Sequence, residues 1–452
     1  MTANRRDESS DRTRGIDRRQ FLGRAAASAA AVTIVPRHVL GGRGYVPPSD
    51  MVYIGSIGAM GMGRSNRRAL AETGQAEIVA LCDVDDTKTA EALADHEGAK
   101  TYRDYRRMLE EESGLDAVVV STPDHMHAVI TMAAMERGLG VYTEKPLTWS
   151  VEEARLLAEG AERYGVATQM GNWGHAHDEA RLINEWIADG AIGSVREVHT
   201  WTNRPIWPQG IDRPEGSLPI PSTLDWDLWL GVAPERPYNE GYHPFDWRGW
   251  WDFGTGALGD MACHIIDFPF WALKLGHPDA VEASSVGMTD ETYPLGSMVT
   301  FHFPAREGMP AIKLIWWDGG LKPPRPPELE PGRQMGDRSG GVIFNGDSGK
   351  IMCSCYARDA CLIPQSWMDS YDHPAPSLPR SIGHREEWLE AVRGGQQAMS
   401  NFGYAGPLTE VILLGCVAIR MNDRLEWDGD SMTVTNLPEA NAHIRRTYRE
   451  GW

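Results

Sequence analysis

From residue 51 to residue 170 the chain repeats one unit. A short, fully apolar run leads into a turn of small or polar residues, and apolar positions three and four apart then follow. Short apolar runs bounded by turns mark strands buried on both faces, and the three-and-four spacing marks one face of a helix. Residues 51–57 form the first run and open into Gly58-Ala59-Met60-Gly61-Met62-Gly63, with a helical pattern through Thr73. Residues 78–81 form a second run ending in Cys82-Asp83, and Tyr102, Tyr105, Met108 and Leu109 keep helical spacing. Residues 115–120 are a strand ending in Ser121-Thr122-Pro123-Asp124-His125-Met126-His127, and a helix returns over 128–138. A strand at 141–143 runs into Glu144-Lys145-Pro146, followed by a helix at 151–164 and a strand at 166–170. Such alternation predicts an α/β fold with a parallel sheet covered on both faces.

Past residue 281 the pattern becomes strand after strand (281–286, 298–303, 312–317, 349–353), then helices starting at His384 and covering 407–419. A Pro/Gly-rich excursion at 319–341 reads as an exposed or subunit-spanning loop. These features predict an α+β second domain and name no chemistry. The expected boundaries are a leader and linker at 1–47, a nucleotide-binding domain at 48–171, and a second domain at 172–452.

A glycine-rich turn between a buried strand and a helix presents backbone N–H groups to a pyrophosphate. Gly58 and Gly63 occupy the first and last glycine positions of the dinucleotide fingerprint, but Met60 stands at the middle one, with Gly61 beside it. Asp83, at the end of the second strand, suits the ribose hydroxyls and repels a 2′-phosphate, which favours NAD over NADP. Its alternative role is to cap the helix starting near Asp85. Ser121, Thr122 and Pro123 fall at a strand end beside the expected nicotinamide ribose. His127 and Glu144 lie on the same rim, with packing as the simpler role for His127. Lys145, on a rigid corner made by Pro146, points into the crevice at the carboxyl end of the sheet.

A second constellation runs from Gly254 to Asp267, in which Asp260, His264 and Asp267 are spaced i, i+4, i+7 on one expected helix face. Between the two lie Trp201, Trp207, Trp226, Trp229, Trp247, Trp250 and Trp251, interleaved with prolines. Aromatic faces suit the C–H faces of sugars as well as loop or subunit packing. Arg204, Trp251, Asn172, His175 and His177 are candidate substrate contacts, the histidines as hydroxyl contacts rather than metal ligands.

The glycine turn, Asp83, residues 121–127 and Glu144-Lys145-Pro146 together resemble the Gfo/Idh/MocA oxidoreductase superfamily. The resemblance covers residue 51 to at least Asp267. It implies a Rossmann domain and a C-terminal α/β domain whose large, open, mainly antiparallel sheet commonly mediates oligomers, here a homodimer or homotetramer. It also implies NAD(P)-dependent oxidation or reduction of a sugar or cyclitol hydroxyl. Asp260 and His264 look like the family's Asp-x-x-x-His active-site pair, acting with Lys145. The proton acceptor is left open between Lys145 and His264. A redox-neutral glycosidase or epimerase working through a transient keto-sugar would use the same residues. A non-catalytic sugar- or nucleotide-binding protein is the reading from another class, supported only by Met60.

Composition narrows the partners. With 452 residues and a net charge of −19, the chain is a poor match for nucleic acid or an anionic membrane. No run of 18 apolar residues is present, so no ordinary transmembrane span is expected. Near the amino terminus, Asp17-Arg18-Arg19-Gln20-Phe21-Leu22-Gly23 and the small-residue stretch 25–35 resemble a twin-arginine export signal. The expected location is the periplasm, or a tether facing it, with the export machinery as a partner. An exported enzyme finds little free nicotinamide nucleotide, so the cofactor is expected to travel bound. Cys353, Cys355 and Cys361 cluster, and one pair could oxidise after export. Their spacing does not suit a metal, and no structural metal is expected.

Overall fold

The computed structural model describes Pro47 and residues 50–452, so the export motif lies outside the described residues. The first sheet contains β1 (Val52–Ile57), β2 (Ala76–Cys82), β3 (Lys100–Tyr102), β4 (Ala117–Val120), β5 (Gly140–Thr143) and β6 (Thr168–Met170). Its order is β3-β2-β1-β4-β5-β6, with every pairing parallel. β1 lies inside the sheet and reverses the direction of winding, so the glycine turn emerges at the topological switch point. The helices are α1 (Met62–Glu72), α2 (Asp86–Leu93), α3 (Tyr105–Glu111), α4 (His127–Met135) and α5 (Val151–Tyr164). α5 shows how local sequence sets an element. Ser150 and Glu153 form a reciprocal capping box at its start, and Gly165 ends it in the left-handed region (φ 63°). Tyr102 belongs to the three-residue edge strand β3 rather than to a helix, because so short a strand carries no readable periodicity.

The second sheet has nine strands, in the order β13-β12-β11-β7-β10-β9-β8-β14-β15. These are β7 (Val195–Thr202), β8 (Ala280–Val286), β9 (Gly296–Phe303), β10 (Ile312–Trp317), β11 (Gly340–Gly346), β12 (Lys350–Ser354), β13 (Cys361–Ile363), β14 (Arg424–Asp428) and β15 (Thr433–Val434). β7 and β10 pair in parallel, and the other pairings are antiparallel. One face is covered by α6 (Asp178–Ala188), α7 (Gly256–Ile265), α8 (Asp267–Ala272) and α10 (Phe402–Met421), with α9 (His384–Val392) lying elsewhere. On the other face, Leu329 and Met335 of the 319–339 excursion pack over Trp201 and Ile343. The excursion therefore covers part of its own sheet.

The second domain does not own everything after residue 172. Trp388 and Leu389 of α9 are buried in the same cluster as Val52, Ile54, Val119 and Tyr142 of the first sheet. The 20-residue α10 is apolar and long enough to cross a membrane, yet 83% of its apolar window is buried inside the protein. Gly406 lets it approach α5 closely, where an added Cβ would sit 2.8 Å from the Ala158 methyl. Arg155 of α5 binds Glu410 of α10 through Nε (3.1 Å) and Nη2. All six cysteines are buried free thiols, including Cys353, Cys355 and Cys361, of which one pair could have oxidised. Burial pushes the Cys353 thiol well up, which disfavours its thiolate.

Candidate active site

The turn after β1 is shaped by three glycines. Gly58 (φ 87°) passes so close to β4 that a Cβ would lie 2.5 Å from the Ser121 carbonyl oxygen. A Cβ on Gly63 would lie 2.0 Å from the Gly58 carbonyl oxygen. Gly61 is different. Its backbone (φ 58°, ψ −121°) is open only to glycine, and nothing lies within 4 Å of where its Cβ would be. The open position is thus one residue later than the middle glycine of the fingerprint, which is why Met60 is tolerated. α1 starts at Met62 without a side-chain cap, the Gly63 N–H turns back to the Met60 carbonyl (3.1 Å), and Gly61 and Met62 line the cavity. These are the features a pyrophosphate needs, and the turn fits a dinucleotide.

Asp83 lies against this turn. Its Oδ2 accepts from the Ala59 N–H (2.7 Å) and its Oδ1 from the Asp85 N–H (3.0 Å). Burial raises its carboxyl from the ordinary value. The cap of α2 is Asp85, which accepts from the Thr87 N–H at 3.0 Å. Asp83 is therefore free of the capping role and lines the cavity. Ser121, Thr122, Pro123, His127 and Glu144 line it too. Asn66 of α1 donates to Glu144 Oε1 (2.8 Å) and accepts from Arg385 (2.8 Å). The two ring nitrogens of His127 face the carbonyl oxygens of Pro146 (2.7 Å) and Thr122 (2.8 Å), which ties the corner after Lys145 to the end of β4.

Lys145 leaves the end of β5 and crosses the cavity to α7. Its Nζ donates to the Asp260 carboxylate (2.7 Å) and to the Asp260 carbonyl (3.0 Å). Arg248 Nε lies 3.3 Å from one oxygen of the same carboxylate, and Arg204 Nε 3.3 Å from the other. Arg248 is itself held by Asp124 (2.9 and 3.0 Å), and Asp124 accepts from the Thr255 hydroxyl (2.6 Å). Burial alone would raise the Asp260 carboxyl, but Lys145, then Arg248 and Arg204, hold it far below the usual range. His264, one turn on, is lowered well below its ordinary value by burial and then by the Lys145 charge. Both effects favour the neutral imidazole, and its Nδ1 has no hydrogen-bond partner among the described residues.

These groups line one cavity of ≈ 720 Å³ together with the glycine turn. Of the expected substrate contacts, Arg204 lines it, whereas Asn172, His175, His177, Trp251 and Asp267 do not. Ile266, between α7 and α8, keeps helical backbone (φ −79°, ψ −20°), yet Asp267 at the i+7 position does not line the cavity. Asp267 instead accepts from His175 Nδ1 (2.9 Å) and the Tyr404 hydroxyl (2.6 Å) in the core. Asn172 accepts from Ser400 (2.6 Å), and His177 donates to the Tyr356 carbonyl (3.0 Å). Trp251 packs on Tyr293 with ring centres 3.7 Å apart. The tryptophan-rich stretch divides its labour. Trp226 and Trp250 are buried in a separate cluster with Tyr238, Tyr242 and Phe253, while Trp207, Trp229 and Trp247 also reach the cavity. Tyr356 and Trp452 line the cavity as well, and nothing in their local sequence signals it, because they arrive from distant turns. Among the described residues no group of three His, Cys, Asp or Glu side chains could hold a metal.

Residues 52–172 match the family model of the oxidoreductase family's NAD-binding Rossmann fold, and residues 197–288 match that family's C-terminal alpha/beta domain. The chain belongs to the Gfo/Idh/MocA oxidoreductase family. It is 33% identical over 142 residues to the rhizopine catabolism protein MocA of Rhizobium meliloti, covering 31% of this chain and 44% of that protein. It is 27% identical over 206 residues to a glycosyl hydrolase family 109 protein of Shewanella pealeana, covering 40% of this chain and 44% of that one. The chain thus spans less than half the length of these curated relatives. Among solved structures, the WlbA dehydrogenase of Bordetella pertussis, in complex with NADH and UDP-GlcNAcA, superposes with a TM-score of 0.59 at 17% identity. That match covers 84% of this chain and 99% of the other, and it shows the shared fold.

Proposed function

We propose that the protein is an NAD-dependent oxidoreductase acting on a hydroxyl of a sugar or cyclitol, with its cofactor held tightly. The observation that carries this is the Lys145–Asp260 pair beside a neutral His264, all in the cavity that also holds the glycine turn. Gly61, the first turn of α1 and Asp83 would hold the dinucleotide, which when bound supplies the hydride acceptor or donor. His264 accepts the proton of the reacting hydroxyl, for which a neutral imidazole is required. Lys145 Nζ holds the same oxygen and offsets its developing negative charge. Asp260 keeps Lys145 oriented, and Arg204 is placed for a neighbouring hydroxyl. Tight retention is supported by the segment 207–248, several residues of which line the same cavity as the glycine turn and which is pinned to the Rossmann domain. The Asp225 N–H donates to the Val84 carbonyl (2.9 Å), and the Asp86 N–H to Thr223 (3.0 Å).

The likeness to a glycosyl hydrolase family 109 protein supports a second reading with the same residues. In it a hydroxyl is oxidised, a neighbouring substituent is eliminated through the acidified C–H, and the product is reduced again. Twin-arginine export and a homodimer or homotetramer belong to the proposal. To test it, the full chain is washed, denatured, and its released nucleotide identified by mass and absorbance. Near one NAD per chain is expected, and cleavage of aryl glycosides without added NAD separates the second reading from the first. Lys145→Ala is expected to lower sugar-dependent turnover at least 10³-fold while leaving the nucleotide content near one, a split set by loss of charge stabilisation. An empty protein that binds neither NAD nor NADP would overturn both enzyme readings.

A further inference from the structure

One cavity wall comes from neither the glycine turn nor the Lys145–Asp260 pair. Tyr356, in the turn between β12 and β13, lies in the left-handed region (φ 65°, ψ 29°), and so do Ala357 (φ 63°) and Asp359 (φ 56°). Side chains rarely adopt this region, and three such residues out of four are sustained only where the surroundings over-determine them. The surroundings do so here. The Ser354 N–H donates to the Arg358 carbonyl (2.7 Å), and the Ser354 hydroxyl to the Asp359 carboxylate (3.1 Å). His177 fixes the Tyr356 carbonyl at 3.0 Å. Gly174 leaves room, since a Cβ there would press to 3.2 Å from the Tyr356 Cα. The result is a Tyr356 ring stacked on Trp173 (4.3 Å, 23°) and edge-on to His264 (4.9 Å, 63°), with all three lining the cavity.

We infer that Tyr356 and Trp173 form the stacking wall of the substrate subsite, which takes a pyranose or cyclitol ring by its apolar C–H face, and that Tyr356 determines specificity there. The inference rests on the sugar-directed reading above. An aromatic face removes ring C–H groups from water without consuming a hydrogen bond, and hydroxyls pointing at that face are left unpaired. The wall therefore selects rings whose hydroxyls lie equatorial on the stacked side. The hydrogen bonds of the 354–359 turn hold the wall beside His264, where it binds the ring without taking part in proton transfer.

The test uses the full chain with its nucleotide loaded, a panel of pyranoses and cyclitols differing at single axial or equatorial centres, and two variants. Asparagine tolerates the left-handed region, so Tyr356→Asn removes the ring without adding backbone strain. We expect Tyr356→Asn to raise KM for the best ring at least tenfold, to change kcat less than threefold, and to retain the nucleotide. Its discrimination between axial and equatorial epimers should also narrow. Tyr356→Phe, which keeps the ring face, should raise KM only about threefold. A Tyr356→Asn protein with KM within twofold of the parent would overturn the inference. So would loss of the nucleotide together with the rise in KM, because Tyr356 would then support the fold. If the parent chain carries nucleotide but neither binds nor turns over any ring in the panel, the sugar-directed reading fails and takes this inference with it. Turnover by the parent with an indifferent Tyr356→Asn sinks only the stacking wall.

Discussion

Asp260 is the residue on which the site's charge balance turns. Its carboxylate is the shared partner of Lys145, Arg204 and Arg248, all within 3.3 Å, and it is 6% exposed. Removing one member of a buried, paired set leaves uncompensated charge, at a cost of about 3–5 kcal/mol. Asp260→Asn should lower the thermal midpoint as well as turnover, and a midpoint unchanged in calorimetry would show that solvent screens these cations. Asp83 sets the cofactor by the same logic. Held against the Ala59 N–H, its carboxylate would repel a 2′-phosphate. Asp83→Asn should shift the ratio of NAD to NADP affinity toward NADP at least tenfold, about 1.4 kcal/mol, as read by equilibrium binding of both nucleotides. Lys145 and Asp83 were legible because strand ends place them at the crevice, whereas Asp260 and His264 were picked out of their helix by the family resemblance. Asp267, His175 and Trp251 were misplaced because core partners hold them, Asp267 with His175 and Tyr404 and Trp251 with Tyr293, and spacing carries no sign of those partners.

At the scale of elements, the glycine turn and the tryptophan-rich segment line the same cavity. Gly61 adopts a backbone closed to other residues, so Gly61→Ala costs about 1–3 kcal/mol even though its Cβ meets no atom. We expect weaker nucleotide retention and a lower thermal midpoint in that variant, with the released nucleotide per chain as the readout. Full occupancy after Gly61→Ala would mean that the turn relaxes and that the open position is not needed. The tryptophans show why composition alone divides evenly between packing and binding. Trp226 and Trp229 stack at 4.6 Å inside their own cluster, yet Trp229 also borders the cavity. One ring thus serves both ends, because a segment laid over a cleft has an inner face and a core of its own.

For the whole molecule, buried histidines govern the response to acid. Burial, with smaller charge effects, lowers His125 and His384 to about 3 and His264 well below its ordinary value. A histidine with a lowered folded value stays neutral when the unfolded chain is protonated, so stability falls as pH drops below about 6.5. Asp318 opposes this, since burial raises it to about 6 and its folded form takes a proton first. Asp83, also raised, acts in the same direction as Asp318. Burial also lowers His96, His199, His243 and His443, so the histidines outnumber the two carboxyls and stability declines as pH falls toward 5.5. Urea melts at pH 7.5, 6.5 and 5.5 should show this decline, and a flat series would place these imidazoles in contact with water.

By itself the sequence determined the doubly wound first domain, the position of the nucleotide turn, and the Lys145, Asp260 and His264 set. The first two and Lys145 follow from short-range periodicity and from the rule that the carboxyl ends of parallel strands face the crevice, whereas Asp260 and His264 were singled out by the family resemblance. Tertiary structure alone decided that α9 returns to complete the first core, that the 319–339 excursion covers its own sheet, and that Tyr356 reaches the cavity from a strained turn. Those outcomes depend on contacts between residues far apart in the chain, where burial and steric fit act without leaving any local pattern.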